Sequence, residues 1–189
     1  RTALGMGATV RVIDEEVHQL RNLEQALGHR IQTAISLHNY IEDWVLSSDV
    51  VIGAAFKPGH RAPIVVTEDM VANMREGSVI VDVAIDQGGC VETSRPTTHK
   101  QPSFVEHDVI HYCVPNIASR VPATASAAVS NILGPLLIKA GDMGGMEQLM
   151  KINEGVKHGV YIYRRHLTKR SMANIFGLEF MDINLLVAS

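Results

Sequence analysis

Between Thr9 and Val114, short runs rich in β-branched residues alternate with segments of helical period, and this alternation leaves few folds open. Thr9–Asp14 is a compact β-branched run ending on an acid, which predicts a strand. Val17, Leu20, Leu23 and Leu27 recur at helical spacing, and Gly28 predicts the stop. Arg30–Ile35 predicts a second strand, and Ile41, Trp44 and Val45 suit a helix leading to Ser48. Residues 49–55 are apolar with little alternation, as expected of a parallel strand covered on both faces. Lys57-Pro58-Gly59-His60 breaks the chain into a loop. Thr67 predicts an N-cap, with Glu68 and Asp69 at the positive end of a helix running to about Arg75. Residues 78–84 predict another buried strand, 90–103 a polar loop, and 109–114 the last strand of the series. Strands alternating with helices predict an α/β fold with a parallel sheet and helices on both faces.

From Pro122 the pattern changes. A long helix is expected over 122–140, a turn at Gly141–Gly145, and a second helix from Met146 to about Lys157. Val160–Tyr163 suits a short strand, and a mixed polar and apolar tail follows. A boundary near Val121-Pro122 therefore separates an expected nucleotide domain, 1–121, from a helical segment, 122–189, that belongs to a substrate domain. Residues 1–7 suit the last turn of a helix closed by Gly5 or Gly7. A dinucleotide-binding unit runs strand, glycine-rich turn, helix, strand, acid. Only the later parts are present, so the expected fold is a Rossmann-type sheet lacking its first strand.

Composition narrows the function. Net charge is −3, so no basic field draws the chain to nucleic acid or an anionic membrane. Two cysteines are too few for a disulfide scaffold and suit a reducing, cytoplasmic setting. The longest apolar stretch, Ala123–Ala140, is interrupted by Ser126, Ser130, Asn131, Gly134 and Pro135, so no bilayer span is expected.

In open α/β sheets ligands bind at the carboxyl ends of strands. Three residues stand there. Asp14 is placed to accept hydrogen bonds from the ribose hydroxyls of an adenosine, or to cap the helix that follows; both readings are open. Asp86, ahead of Gly88-Gly89, could orient an amine or relay a proton, or make an ordinary Asx turn. Asn116 could hold a carbonyl or carboxylate oxygen, or serve as a turn residue. The histidines are scattered with no metal-ligand spacing, so no metal site is expected. Cys90 has no partner of catalytic type nearby and suits a buried, idle thiol. The basic cluster Arg164-Arg165-His166 with Lys169-Arg170 suits a solvated face.

The block Val81-Asp82-Val83-Ala84-Ile85-Asp86-Gln87-Gly88-Gly89-Cys90-Val91-Glu92-Thr93-Ser94-Arg95-Pro96-Thr97-Thr98-His99 resembles a signature of alanine dehydrogenases. His111–Ile117 and Gly53–Pro63 resemble two further blocks of that family. The resemblance covers essentially the whole chain. It implies an NAD-dependent enzyme that oxidatively deaminates L-alanine to pyruvate and ammonia, reversibly, as a homo-oligomer that is often a hexamer. By position it implies cofactor contacts at Asp14, Ser36, Ala55, Phe56, Val83, Ala84, Ile85, Asp86, Val114, Pro115, Asn116 and Ile117, with Asp86 catalytic. Pro115-Asn116-Ile117-Ala118 departs from the family's common Ala-Asn-Met-Pro, although the asparagine is kept. The family's catalytic histidine and its substrate-gripping Arg and Lys lie in an N-terminal half, so this chain is expected to need that half and to be inactive alone. The NAD-binding subunit of a nicotinamide nucleotide transhydrogenase is an alternative that Ser94–Thr98 argues against. A catalytically inactive NAD-binding module is another.

Overall fold

The computed structural model describes residues 1–28 and 31–188. Arg30, expected to open a strand, lies outside the described residues. Contacts group the chain into two compact units, Arg1–Lys57 with Arg61–Pro115, and Pro58–His60 with Asn116–Ser189.

The first unit opens with α1 (Thr2–Gly5), followed by Gly7 at φ 84°. β1 (Val10–Asp14) leads into α2 (Val17–Leu27), where Gly28 takes the left-handed conformation and its N–H bonds back to Glu24. β2 (Ile31–Ile35) pairs parallel with β1, Val10 opposite Ile31 and Asp14 opposite Ile35. α3 (His38–Leu46) then crosses to β3 (Val50–Gly53). One helix between successive strands is the crossover that keeps strand direction. α4 (Glu68–Ala72) has the expected cap, with Met70 N–H donating to Thr67 Oγ1. It is shorter than expected, and the Asn73 amide donates to the Asp69 carbonyl at its end.

β4 (Val79–Asp82), β5 (Ser103–Glu106) and β6 (Val109–Tyr112) complete a second sheet of order β3-β4-β6-β5. β3, β4 and β6 are parallel; β5 runs antiparallel to β6. The fold is thus α/β with a mostly parallel sheet, as expected, but in two ladders, β1–β2 and β3-β4-β6-β5. β5 was not expected. Its return turn is His107-Asp108, both at positive φ (51° and 58°), the twist that lets two residues join antiparallel strands.

The core lies over β4. Ile80 is wholly buried, with Val71, Met70, Val91, Cys90 and Val109 around it. Burying a side chain of this size contributes about 1.5–3 kcal/mol, so β4 and its neighbours carry much of this unit's stability.

In the second unit a short 3-10 turn (Ile117–Arg120) precedes α5 (Pro122–Asp142), which opens on Pro122 and continues through Gly134 and Pro135. The long helix expected over 122–140 is thus present. By length and composition alone α5 is long and apolar enough to cross a membrane, and Val129, Ile132, Leu133, Leu137 and Ile138 on it are exposed. The single helix expected over 146–157 is two, α6 (Met146–Ile152) and α7 (Glu154–His158). Asn153 divides them: its side chain accepts from Val156 N–H and caps the second. The expected strand near 160–163 is β7 (Ile162–Tyr163), paired antiparallel with β8 (His166–Leu167) around Arg164 and Arg165 at positive φ. The tail forms α8 (Arg170–Phe176) and α9 (Ile183–Ala188).

Candidate functional site

β1 and β3 flank a cleft of about 780 Å³ within the first unit. α3 contributes Ile41, Trp44 and Val45 to its wall. Four of the predicted cofactor residues, Asp14, Ser36, Ala55 and Phe56, line this cleft, each at or just beyond the carboxyl end of β1, β2 or β3. Ser36 N–H donates to the Asp14 carbonyl at 3.0 Å, which ties the ends of β1 and β2 together. The Asp14 carboxylate is exposed at that end, and its Oδ1 accepts from Glu16 N–H at 2.8 Å. The turn-forming use of Asp14 is therefore present. It occupies one oxygen of a group with two, each able to accept more than one bond, so acceptance from a diol remains open to the same side chain.

A second group follows β4. Asp82 is 2% exposed and knits this segment together. Its Oδ1 accepts from Ala84 N–H at 3.0 Å, and its Oδ2 accepts from Cys90 N–H at 3.0 Å and Val91 N–H at 3.3 Å. Residues Val83–Gln87 form a short 3-10 helix, with Ala84 and Ile85 buried and Val83 and Asp86 exposed. The helix is held from outside as well: Ala62 N–H donates to the Gln87 carbonyl, and Arg61 Nη2 donates to the Gly88 carbonyl, both at 2.9 Å. Gly88 sits at φ 98°, and a Cβ there would run into the Arg61 side chain. Gly53 at the end of β3 is equally confined, because a Cβ would lie 2.6 Å from Cys90 Sγ. Asp86 is thus exposed on a 3-10 helix tied by hydrogen bonds to Asp82, Ala62 and Arg61.

Asp82 escaped the sequence reading, which assigned the possible Asx turn to Asp86. Asp82 makes such a turn, its Oδ1 accepting from the N–H two residues on. Its sequence signal is only that of an acid at a strand end; the return of Cys90 and Val91 to it is set by the fold. Cys90 is wholly buried, as expected of an idle thiol; burial, with Asp82 adjacent, pushes its pKa up to about 11.

The third group is divided. Val114 is buried and Pro115 half-buried beyond β6 in the first unit. Asn116, at φ 54°, and Ile117 open the 3-10 turn of the second unit. Among the described residues no cluster of His, Cys, Asp and Glu could hold a metal ion.

Residues 1–170 match the family described as alanine dehydrogenase/PNT, C-terminal domain. The chain belongs to that family. Within it, the chain is 40% identical over 187 residues to the alanine dehydrogenase of Halomonas elongata, covering 99% of this chain and 50% of that protein. It is 39% identical over 184 residues to alanine dehydrogenase 2 of Staphylococcus aureus strain USA300, covering 97% and 49%. Among solved structures, an L-alanine dehydrogenase superposes with a TM-score of 0.83 at 39% identity, over 93% of this chain and 48% of that one. A transhydrogenase from Sinorhizobium meliloti gives 0.56 at 28% identity, over 67% and 35%. The chain spans about half the length of these alanine dehydrogenases.

Proposed function

We propose that this family member is part of an NAD-dependent alanine dehydrogenase that converts L-alanine to pyruvate and ammonia, reversibly. The observation that carries the reading is that Asp14, Ser36, Ala55 and Phe56 line a single cleft, in a chain 39–40% identical to alanine dehydrogenases over nearly its whole length. The fuller superposition on the L-alanine dehydrogenase favours it over a transhydrogenase subunit.

The residues present suit NAD. Asp14 would accept from the adenosine ribose hydroxyls, and its charge would repel a 2′-phosphate, favouring NAD over NADP. Ser36 would border the adenine end, and the Ala55 and Phe56 backbone would follow the cofactor. Bound there, NAD would supply the hydride acceptor for the alanine Cα hydrogen. Val83–Asp86, held by Asp82 and Arg61, would face the nicotinamide side, together with Val114–Ile117. The Asp86 carboxylate would orient the substrate amine or the attacking water by accepting its N–H or O–H, and would offset developing positive charge at nitrogen. The general base and the grip on the substrate carboxylate would come from an N-terminal half. In this reading the two ladders are one Rossmann-type sheet missing a strand. The C-terminal helices belong to the substrate domain, and the apolar face of α5 meets that domain or other subunits of a cytoplasmic homo-oligomer.

The test is a chimera in which this chain replaces the matching half of the Halomonas elongata alanine dehydrogenase. It should form NADH in an alanine-dependent manner, and Asp86→Asn should lower kcat by roughly 10²–10⁴-fold without changing the melting temperature. A folded chimera with no alanine-dependent NADH formation contradicts the reading, and unchanged turnover in the variant removes Asp86 from the chemistry.

A further inference from the structure

The ladder that joins β4 to β6 stops at Val81 opposite Tyr112. The chain leaves β4 as Asp82 and Val83–Gln87, and leaves β6 as Cys113, Val114 and Pro115. One departing segment carries Asp86 and the other carries Val114 and Pro115. Past Val81 and Tyr112, no ladder pair among the described residues joins these two segments. Neighbouring strands rotate relative to one another, so their spacing has to be set by other contacts.

Residues 90–97 supply those contacts. At one end the Asp82 carboxylate accepts from Cys90 N–H and Val91 N–H. The same end is tied to the chain ahead of α4: Val65 N–H donates to the Cys90 carbonyl at 2.8 Å, and Glu92 N–H donates to the Val66 carbonyl at 2.9 Å. At the other end Thr97 N–H donates to the Cys113 carbonyl at 2.9 Å. Between them Thr93 Oγ1 lies 2.8 Å from His111 Nε2. His111 Nδ1 faces the Val109 carbonyl at 3.0 Å, so Nδ1 carries the proton and Nε2 accepts from the Thr93 hydroxyl. The ring is wholly buried and stacked on Phe104, which makes it a fixed point on β6, two residues before Cys113. Ser94, next along, packs against Gly89, where a Cβ would lie 3.4 Å from the Ser94 Cβ. The stretch therefore bridges the end of β4 to the end of β6. Its links at 90, 91 and 97 use backbone N–H groups that any residue but Pro supplies, whereas the link at 93 depends on one hydroxyl.

We propose that Thr93 is a positioning residue: its hydroxyl, held on His111, sets the spacing between the segment that carries Asp86 and the segment that carries Val114 and Pro115. Its consequence for catalysis rests on the reading above, in which both segments border the nicotinamide and the substrate. Orientation of reacting groups is sensitive to small displacements, so a shift in that spacing acts on the chemical step. Asp14 and Ser36, at the adenosine end, belong to the other ladder, β1–β2, and do not depend on this bridge. The loss therefore falls on kcat rather than on the KM for NAD.

The test compares Thr93→Val, which keeps the branched shape and loses the hydroxyl, with Thr93→Ser, which keeps the hydroxyl. In the full chain, amide hydrogen exchange at Cys90 and Thr97 should quicken at least about tenfold in Thr93→Val, stay near the unaltered rate in Thr93→Ser, and be unchanged over 10–14 in both. In the Halomonas chimera, Thr93→Val should lower kcat by roughly tenfold to a hundredfold with the KM for NAD within about twofold, and Thr93→Ser should restore most of the rate. Melting curves fix an assay temperature at which each variant is folded. If Thr93→Val does not fold, Thr93→Cys, whose thiol is a weaker donor, takes its place and should give an intermediate loss of kcat. The proposal is overturned by unchanged exchange at Cys90 and Thr97, by equal losses of kcat in the Val and Ser variants, or by a folded Thr93→Val that loses only melting temperature. A chimera with Thr93 in place that forms no NADH removes the alanine dehydrogenase reading instead, and the exchange rates then decide whether Thr93 holds the bridge.

Discussion

β1 and β4 are both short parallel strands built largely from β-branched residues, yet they end in different environments. β4 lies between β3 and β6, and its residues alternate between fully and half-buried, with Ile80 wholly enclosed. β1 has one neighbour and no fully buried residue. Composition is similar; the number of flanking strands differs. A parallel strand takes its burial from neighbours on both sides and helices on both faces, and an isolated two-stranded ladder has little stability of its own. The stable half of the first unit is therefore the one that supports Asp86, and the β1–β2 half carries Asp14 on a weaker base.

The sharpest way to break this contrast is at Asp82. Asp82→Ala would leave Ala84, Cys90 and Val91 N–H groups without their acceptor in a buried site, at about 1–3 kcal/mol for each orphaned donor. Denaturant melts should show a loss of roughly 3 kcal/mol or more, and a loss under about 1 kcal/mol would mean the knot carries no stability. Next come paired truncations on the two ladders. Ile80→Ala should cost about 2–5 kcal/mol, while Val12→Ala on the half-buried β1 should cost under about 1.5 kcal/mol. Equal losses would contradict the difference between the ladders.

A smaller effect is expected at His111, on β6. This ring is wholly buried, stacked on Phe104 at 4.9 Å, and bonded through Nδ1 to the Val109 carbonyl and through Nε2 to Thr93 Oγ1. A carbonyl only accepts, so Nδ1 carries the proton and the neutral ring accepts from Thr93. Burial holds its pKa below the usual histidine value of 6.5. The unfolded chain thus takes up the proton first as pH falls. Stability should be full above about 6.5, the ordinary histidine pKa, and decline below it until the folded pKa is passed. His111→Gln should flatten that slope in pH-dependent melts; an unchanged slope would place the titration elsewhere.

Much of this was legible locally. Helix stops at Gly28 and the cap at Thr67 depend on one turn of chain, and both formed where their residue types require. Asp14 followed from a topological rule about strand ends, and Ser36, Ala55 and Phe56 followed only from the resemblance to alanine dehydrogenases; all four line one cleft. What escaped notice depends on distant or weak signals. β5 has four residues, two of them polar, and is defined by pairing with β6. The break at Asn153 lies inside an apolar period that continues across it, and only the side-chain cap reveals it. Asp82 looks like any strand-end acid until Cys90 and Val91 return to it. In α5 the long helix expected over 122–140 formed straight through Gly134 and Pro135, which bear only on the apolar length of the stretch.

The account turns on Asp14 as the acceptor for an adenosine ribose. The most direct test is the ratio of KM values for NADP and NAD in the Halomonas chimera, with and without Asp14→Ala. The predicted result is a KM for NAD at least about tenfold below that for NADP, the equivalent of about 1.4 kcal/mol, collapsing toward unity in the variant while kcat with NAD is little changed. A ratio that Asp14→Ala leaves untouched would contradict the account.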